Sequence, residues 1–223
     1  MSNKLDLFGK ALWNYHKKMG ANKIITWTSL TEEDPIHLSY FFRSFDEMPK
    51  LEQKALELSK GKVLDVGCGA GSHSLYLQNK MKLEVFGIDH SHGAIATAHA
   101  RGLKNTIEQS IFNHREGTYD TILLLMNGLG ICGKLKNLRA LLIHLASLLN
   151  YGGQILLDST NLIYLFDQTE IGERIVPGSN YYGELIYVFL NSLGVLWMLI
   201  TGFQMFSKTI SFTKKVTKGE SKG

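Results

Sequence analysis

The stretch VLDVGCGAGSHSLYL, residues 63–77, constrains the fold more than any other part of the chain. It is typical of a short apolar strand, a glycine-rich turn and the start of a helix. Glycines in such a turn adopt backbone dihedrals that other residues avoid, and they let the chain approach a ligand closely. The N-terminus of the following helix adds unpaired N–H groups and partial positive charge. The stretch therefore predicts a ligand site at this turn.

The rest of the chain alternates apolar strands with amphipathic helices. Strands are predicted at residues 62–66, 83–88, 105–109, 119–126 and 154–158, with a turn at 150–153. Helices are predicted at residues 48–60, 72–78, 92–101 and 136–149. Strands separated by helices of this length predict an α/β fold with a doubly wound, mostly parallel, Rossmann-like sheet. In such sheets ligands bind beyond the carboxyl ends of the strands, which is where the glycine turn lies.

Three regions are predicted along the chain. Residues 1–60 form an N-terminal helical cap, 61–183 form the α/β core, and 184–223 form an apolar segment with a basic tail. The first region carries aromatic residues at Trp13, Tyr15, Phe41 and Phe42. They are interpreted either as a lid over a substrate or as a cap packed on the core.

The charge distribution argues against a nucleic-acid partner. The chain has a net charge of +4, and the tail from Lys208 onward carries five lysines against Glu220 alone. The remainder is therefore neutral, whereas a nucleic-acid binder normally has a basic stripe on its folded part. Cys68 and Cys132 have neither metal-binding nor disulfide spacing, so we expect no metal site and a reducing, cytoplasmic location. The N-terminus lacks the apolar core of a signal peptide.

The glycine spacing distinguishes among possible cofactors. A dinucleotide fingerprint is G-x-G-x-x-G. Here Gly67, Gly69 and Gly71 place the third glycine one residue early, and Asp65 precedes the first. A carboxylate beside a pyrophosphate would be repelled, whereas beside an ammonium and a sulfonium it is favourable. A P-loop is excluded because no Lys-Ser/Thr pair follows the glycines.

The residues D-V-G-C-G-A-G at 65–71, Asp89 after the second strand, and Gly152-Gly153 resemble class I S-adenosylmethionine-dependent methyltransferases. The resemblance spans roughly residues 6–182. The segments FRSFDEMP and LLLMNGLGICG are similar to a group of small bacterial methyltransferases of unsettled substrate.

The resemblance implies S-adenosylmethionine as the cofactor and a role for particular residues. The three glycines would line its methionine part, Asp65 would orient it through the loop, and Asp89 would hold the ribose. Met126 and Asn127 would border the sulfonium and the acceptor pocket. The predicted cofactor-binding residues are Asp65, Gly67, Cys68, Gly69, Gly71, Asp89, His90, Ser110, Ile111, Met126 and Asn127.

Ser110 departs from the family's pattern. Many relatives place an acidic residue after the third strand to accept the adenine amine, whereas this chain has Gln109-Ser110. The oxygens of these side chains accept hydrogen bonds without carrying charge, so weaker adenine recognition is predicted.

The sequence does not identify the catalytic residues. Methyl transfer can proceed by positioning, without a strong base. The Asp/Asn-Pro-Pro-Tyr/Phe signature of nucleic-acid amino-methylating enzymes is absent after the fourth strand, which favours a small-molecule acceptor. His73, His90 and His92 near the mouth are either general bases or capping and solvent-facing residues. The alternatives are a cofactor-binding protein with impaired catalysis and a nicotinamide-dependent oxidoreductase.

The C-terminal segment is atypical of the family. Residues 185–207 carry no charge over 23 positions, which is long enough to span a bilayer. Asn-Ser-Leu-Gly at 191–194 equally suits a hairpin of strands 185–190 and 195–200 that would cover the sheet. A frameshift near residues 197–202 is the third alternative. The sequence does not predict an oligomeric state.

Overall fold

The computed structural model describes residues 6–29, 31–159, 165–173, 175, 184–191, 194–201 and 210–213. The helices are α1 (Leu7–His16), α2 (Lys50–Leu58), α3 (Ser72–Asn79), α4 (His92–Ala100) and α5 (Leu138–Ser147). The strands are β1 (Lys23–Thr28), β2 (Thr31–His37), β3 (Lys62–Val66), β4 (Glu84–Asp89), β5 (Asn105–Glu108), β6 (Tyr119–Leu124), β7 (Leu149–Leu157), β8 (Glu184–Asn191), β9 (Gly194–Thr201) and β10 (Ile210–Thr213).

A six-stranded sheet forms the centre of the molecule, in the order β10-β7-β6-β3-β4-β5. The five strands from β7 to β5 pair in parallel, and β10 pairs antiparallel to β7. The prediction of a doubly wound, mostly parallel sheet is therefore confirmed. Strand order reverses between β3 and β6, so a ligand crevice is expected at their carboxyl ends.

Alternate residues of the central strands face opposite layers. Leu64 and Ile122 belong to a buried cluster that contains the apolar side of α5. Val63 and Leu123 belong to a second cluster, which contains buried residues of α2, α3 and α4. Because both faces are covered, the strands read as continuous apolar runs.

The N-terminal region, predicted as a helical cap, contains two strands that were not predicted, in addition to its helices. β1 and β2 form an antiparallel hairpin. β2 has the sequence TEEDPIH and is largely exposed, so it lacks the apolar alternation by which a half-buried strand is predicted. The boundary at residue 60 stays a prediction.

The α1 helix packs closely on α4. The carboxylate of Asp6 accepts hydrogen bonds from the N–H groups of Gly9, at 3.0 Å, and Gly93, at 2.9 Å. One carboxylate thus caps both helices, and a Cβ on Gly93 would collide with the backbone of Gly9.

The aromatic residues of this region form a packed cluster. The ring of Phe41 lies 5.0 Å from that of Phe8, and Phe42 lies 4.8 Å from Tyr15. The cluster also contacts Ala70 and other buried residues of the α/β core. This packing supports the interpretation of these aromatic residues as part of a cap on the core rather than as a lid over a substrate.

β7 is longer than predicted. It begins at Leu149 and runs through the residues expected to turn. Its register with β6 shifts between Tyr119 and Thr121, and Gly152 has φ +75°. The Gly-Gly pair therefore marks an irregularity within the strand rather than its start.

The C-terminal segment contains the predicted hairpin, with β8 and β9 pairing antiparallel from Glu184↔Thr201 to Asn191↔Gly194. Its position differs from the prediction, because β8 pairs with β1 in a separate sheet of order β2-β1-β8-β9. The six-stranded sheet is instead extended by β10. In the part of the chain that the structure describes, no helix is long and apolar enough to cross a membrane.

Candidate functional site

The glycine turn lies between β3 and α3 and is anchored to β4. The N–H groups of Gly67 and Cys68 donate to the carbonyl oxygen of Ile88, at 2.8 and 3.2 Å. Gly67, Gly69 and Gly71 have φ values of +74°, +54° and +80°, in the region that favours glycine. A Cβ built on Gly69 would meet no atom within 4 Å. The turn thus presents open backbone at the carboxyl edge of the sheet.

Asp89 ties this turn to the end of β4. Its Oδ2 accepts from the N–H of Gly69 at 3.1 Å, and its Oδ1 accepts from the N–H of Ser91 at 3.0 Å. Burial raises the pKa of Asp89 above its usual range, although both hydrogen bonds act in the opposite direction. Among the described residues its ion-pair partner is His90, at 3.5 Å.

A cleft of about 50 Å³ opens beside Asp89, across the ends of β3, β4 and β5. Five of the predicted cofactor-binding residues line it together: Gly67, Asp89, His90, Ser110 and Ile111. Ile131 also lines it and was missed, because it comes from a 3-10 turn after β6 with no recognisable sequence signal. A larger cavity of about 430 Å³ lies near Tyr15 and Phe42, and no glycine of the turn lines it.

Asp65 and Cys68 lie behind the turn rather than in the cleft. Asp65 is 2% exposed, and its Oδ2 accepts from the hydroxyl of Ser74 at 2.6 Å. Burial raises the pKa of Asp65, while His73 and Ser74 oppose the shift. The thiol of Cys68 packs against Gly87, and burial raises its pKa well above the usual value. Both side chains therefore support the turn from the protein interior and do not line the cleft.

Met126 and Asn127 follow β6 with φ values of +58° and +60°. Such left-handed conformations of non-glycine residues cost about 1–3 kcal/mol each and occur at functional sites. Asp158, after β7, accepts from both of their N–H groups, at 3.0 Å for Met126 and 2.7 Å for Asn127. β6 lies beside β3 in parallel, so this turn and the glycine turn share one edge of the sheet.

Comparison with known proteins shows the family to which the chain belongs. A methyltransferase-domain family model matches residues 63–153. A crystal structure of an S-adenosylmethionine-dependent methyltransferase from Bacteroides fragilis, bound to S-adenosyl-L-homocysteine, is 33% identical to this chain. The match covers 91% of this chain and 83% of that one, with a TM-score of 0.81. The chain belongs to the S-adenosylmethionine-dependent methyltransferases.

More distant solved structures include the plantazolicin methyltransferase BpumL, at 28% identity over 50% of this chain and 44% of that one, with a TM-score of 0.42. The amino pentose methyltransferase CalS10 from Micromonospora echinaspora is 17% identical over 72% of this chain and 78% of that one, with a TM-score of 0.47. No curated protein sequence matches the chain.

The cofactor of this methyltransferase is S-adenosylmethionine, and the nicotinamide alternative is wrong. The residues present fit the cofactor's chemistry. Asp89 offers carboxylate oxygens at the mouth of the cleft, where ribose hydroxyls need acceptors. Gly69 leaves open the space that a Cβ would fill, so a ligand can approach its backbone closely.

A buried charged network that sequence reasoning missed lies next to Met126. Nη2 of Arg43 lies 3.1 Å from Oε2 of Glu52 and 3.7 Å from Sδ of Met126. Nε2 of His73 makes a 2.8 Å hydrogen bond with the same Glu52 oxygen. Burial alone would raise the pKa of Glu52, but His73 and Arg43 more than offset it, so this pKa lies below its usual value. The network joins three separate segments, so local sequence patterns give no signal for it.

A second set of contacts braces the glycine turn from the side. Nη1 of Arg101 donates to the carbonyl oxygen of Ala70 at 2.6 Å and to the hydroxyl of Ser72 at 3.1 Å. The Ser72 hydroxyl donates in turn to the carbonyl oxygen of Phe41 at 2.8 Å. The turn is thereby joined to the N-terminal aromatic cluster.

The three histidines near the mouth have different environments. His73 is buried and bound to Glu52. The side chain of His90 is 81% exposed at the cleft. His92 begins α4, and its hydrogen bond with Glu108 raises the pKa of the imidazole. The capping and solvent-facing interpretation therefore suits His90 and His92 better than a fixed catalytic role. Within the described ranges, no group of His, Cys, Asp and Glu has the arrangement of a metal site.

Proposed function

We propose that this methyltransferase acts on a small-molecule acceptor and binds its cofactor in the cleft beside Asp89. The observation that carries the proposal is the convergence of Gly67, Asp89, Ser110 and Ile111 on one cleft at the carboxyl edge of the sheet. When bound, S-adenosylmethionine supplies a methyl group on a sulfonium, so that the acceptor–methyl bond forms as the sulfur–methyl bond breaks.

Asp89 is proposed to bind the ribose. Each of its oxygens accepts one backbone N–H and retains acceptor capacity for a hydroxyl. Ser110 and Gln109 would receive the adenine amine without a full charge. Ile111 and Ile131 supply apolar walls on either side of the same cleft.

Arg43 and Met126 are proposed to border the methionine part of the cofactor. The side chain of Arg43 is 10% exposed and lies across the ring of Tyr40, at 3.7 Å from its centroid. Glu52 fixes the guanidinium in this position. A guanidinium held here favours a carboxylate, which is the anionic group of the cofactor.

The small-molecule acceptor is supported by charge and by the chain after β6. The body of the protein is neutral outside its tail, and Asn127-Gly128-Leu129-Gly130 differs from the signature of nucleic-acid amino-methylating enzymes. With His73 bound to Glu52, positioning rather than a strong base is proposed to drive transfer. A cytoplasmic location and the absence of a nucleic-acid partner belong to the same proposal.

Titration calorimetry of the purified protein with S-adenosylmethionine, S-adenosylhomocysteine and NADH tests the cofactor site. We expect binding of both sulfur compounds in the micromolar range, about −8 kcal/mol, and none of NADH. Gly69→Ala should lose this binding, because the added Cβ enters the space left for the cofactor. Transfer of labelled methyl from S-adenosylmethionine to fractions of a small-molecule extract then tests the acceptor class. Label found only in protein or nucleic acid would contradict the proposal.

A further inference from the structure

The turn after β6 places two consecutive non-glycine residues in the left-handed region. Met126 has φ +58° and Asn127 has φ +60°. Asparagine tolerates this conformation better than most residues, whereas an unbranched side chain such as methionine rarely adopts it. A turn of this kind needs an external group to hold it.

Asp158 is that group. It follows β7, which pairs with β6 through Leu124 and Leu157. Its Oδ1 accepts from the N–H of Asn127 at 2.7 Å, and its Oδ2 accepts from the N–H of Met126 at 3.0 Å. Its own N–H donates to the carbonyl oxygen of Leu124 at 3.2 Å. The contacts thus bind the turn from the neighbouring strand at three points.

The chemistry of the contact explains why this residue is an aspartate. The two N–H donors bond to separate oxygens of the carboxylate, whereas an amide in its place would have one acceptor oxygen and would turn an NH₂ group toward the other donor. Asp158 is 9% exposed, and no lysine or arginine of the described ranges forms an ion pair with it. Burying a carboxylate without a cationic partner is costly, and the two hydrogen bonds from the turn offset part of that cost.

We propose that Asp158 is a positioning residue of the methyltransferase: it holds the strained Met126–Asn127 turn in the shape that borders the cofactor's methionine part. The inference rests on the proposed cofactor site. Asp158 acts through the turn and does not itself contact the cofactor. Relaxation of the turn would also release Met126 from Arg43, whose Nη2 lies 3.7 Å from its sulfur.

The test measures S-adenosylhomocysteine affinity by calorimetry in the full chain, together with thermal unfolding. We expect Asp158→Ala to weaken binding by about tenfold, because the N–H groups of Met126 and Asn127 lose their acceptor and the turn is no longer held. Asp158→Asn, which keeps one acceptor oxygen, should fall between wild type and Asp158→Ala. Adding Asn127→Gly should restore about half of the loss on a logarithmic scale, since glycine adopts positive φ without strain.

Asp120→Ala is the matched control. Asp120 also accepts two hydrogen bonds, from Lys62 and Asn150, but at the opposite end of β6. Its loss should destabilise the fold and leave affinity within about twofold of wild type. If Asp158→Ala does not fold, the inference is tested by comparing the S-adenosylhomocysteine affinity of Asp158→Asn with that of the double variant Asp158→Asn/Asn127→Gly.

Wild-type affinity in Asp158→Ala or Asp158→Asn, or no restoration by Asn127→Gly, would overturn the inference while leaving the cofactor site intact. Failure of the wild-type protein itself to bind S-adenosylhomocysteine would instead overturn the proposed site, and the inference with it.

Discussion

The two ends of the central sheet use carboxylates in opposite ways. At the amino ends, Asp120 accepts from the N–H of Lys62 and from Asn150, and these bonds, with the charges of Lys60 and Lys62, lower its pKa. At the carboxyl ends, Asp65 and Asp158 are buried and Asp89 is largely so, and loss of solvation raises the pKa of each.

The difference separates an acid whose charged form is favoured by its hydrogen bonds from acids whose charged form is penalised by burial. Hydrogen bonds to a partly exposed carboxylate favour its charged form, whereas burial of a carboxylate penalises the charged form. In this methyltransferase the acids with raised pKa lie at the carboxyl edge of the sheet, where the cofactor is proposed to bind. The direction of the carboxylate pKa shifts therefore distinguishes the amino ends of the parallel strands from their carboxyl ends, as the position of the glycine turn does.

The largest effect is expected from Asp89→Ala. Both the proposed ribose acceptor and the anchor of Gly69 would be lost, so affinity for S-adenosylhomocysteine should fall about 100-fold, or about 2.7 kcal/mol. Calorimetry measures the change. Equal losses in Asp89→Ala and Asp120→Ala would abolish the contrast between the two ends.

A smaller effect, on stability rather than binding, is expected from Asp120→Ala. The N–H of Lys62 and the amide of Asn150 lose their acceptor, so the free energy of unfolding should fall by about 1–2 kcal/mol. Urea denaturation measures it. Unchanged stability would show that this end does not depend on its acid.

The smallest effect is a difference between Asp89→Asn and Asp120→Asn in how folding stability depends on pH. Folding raises the pKa of Asp89, so the protonated carboxyl stabilises the folded state. That contribution is fully present below the pKa of Asp89 in the unfolded chain and is lost as pH rises through its pKa in the folded protein. Because folding lowers the pKa of Asp120, its contribution is present above the unfolded pKa and is lost as pH falls.

From about pH 3 to pH 7, a range that contains the ordinary aspartate pKa, Asp89→Asn should therefore gain stability relative to wild type as pH rises. Asp120→Asn should lose stability relative to wild type over the same range. Thermal unfolding at successive pH values measures both, and slopes of the same sign would contradict the assigned environments.

Local patterns were sufficient to predict the five parallel strands of the central sheet and the glycine turn. β3 and β6 are buried on both faces and bounded by polar or glycine residues, so their sequences identify them, whereas β5 is a short, partly exposed edge strand. Asp89 was predictable because its position at a strand end fixes its place at the sheet edge. Its hydrogen bonds to the turn follow from the same strand order.

Features that depend on contacts between distant segments were not predictable. Arg43 and Glu52 belong to the cap region, and their approach to Met126 requires the tertiary fold. The role of Asp158 depends on which strand pairs with β6. The apolar segment after Glu184 indicated a hairpin, but its pairing with β1 is a backbone contact that side-chain patterns do not encode.

The pairing of β1 with β8 has a consequence for synthesis on the ribosome. Ile25 pairs with Leu190, 165 positions later in the chain. At about 5–20 residues per second, translation reaches β8 roughly 8–33 seconds after β1 emerges. During that interval the β1–β2 hairpin has an unpaired inner edge, whereas its outer edge is protected by Glu32, Glu33 and Asp34 on β2. The outer edge, on β2, thus carries charged residues that disfavour pairing with another chain. The edge of β1 is accessible to other nascent chains until β8 has been synthesised and pairs with it.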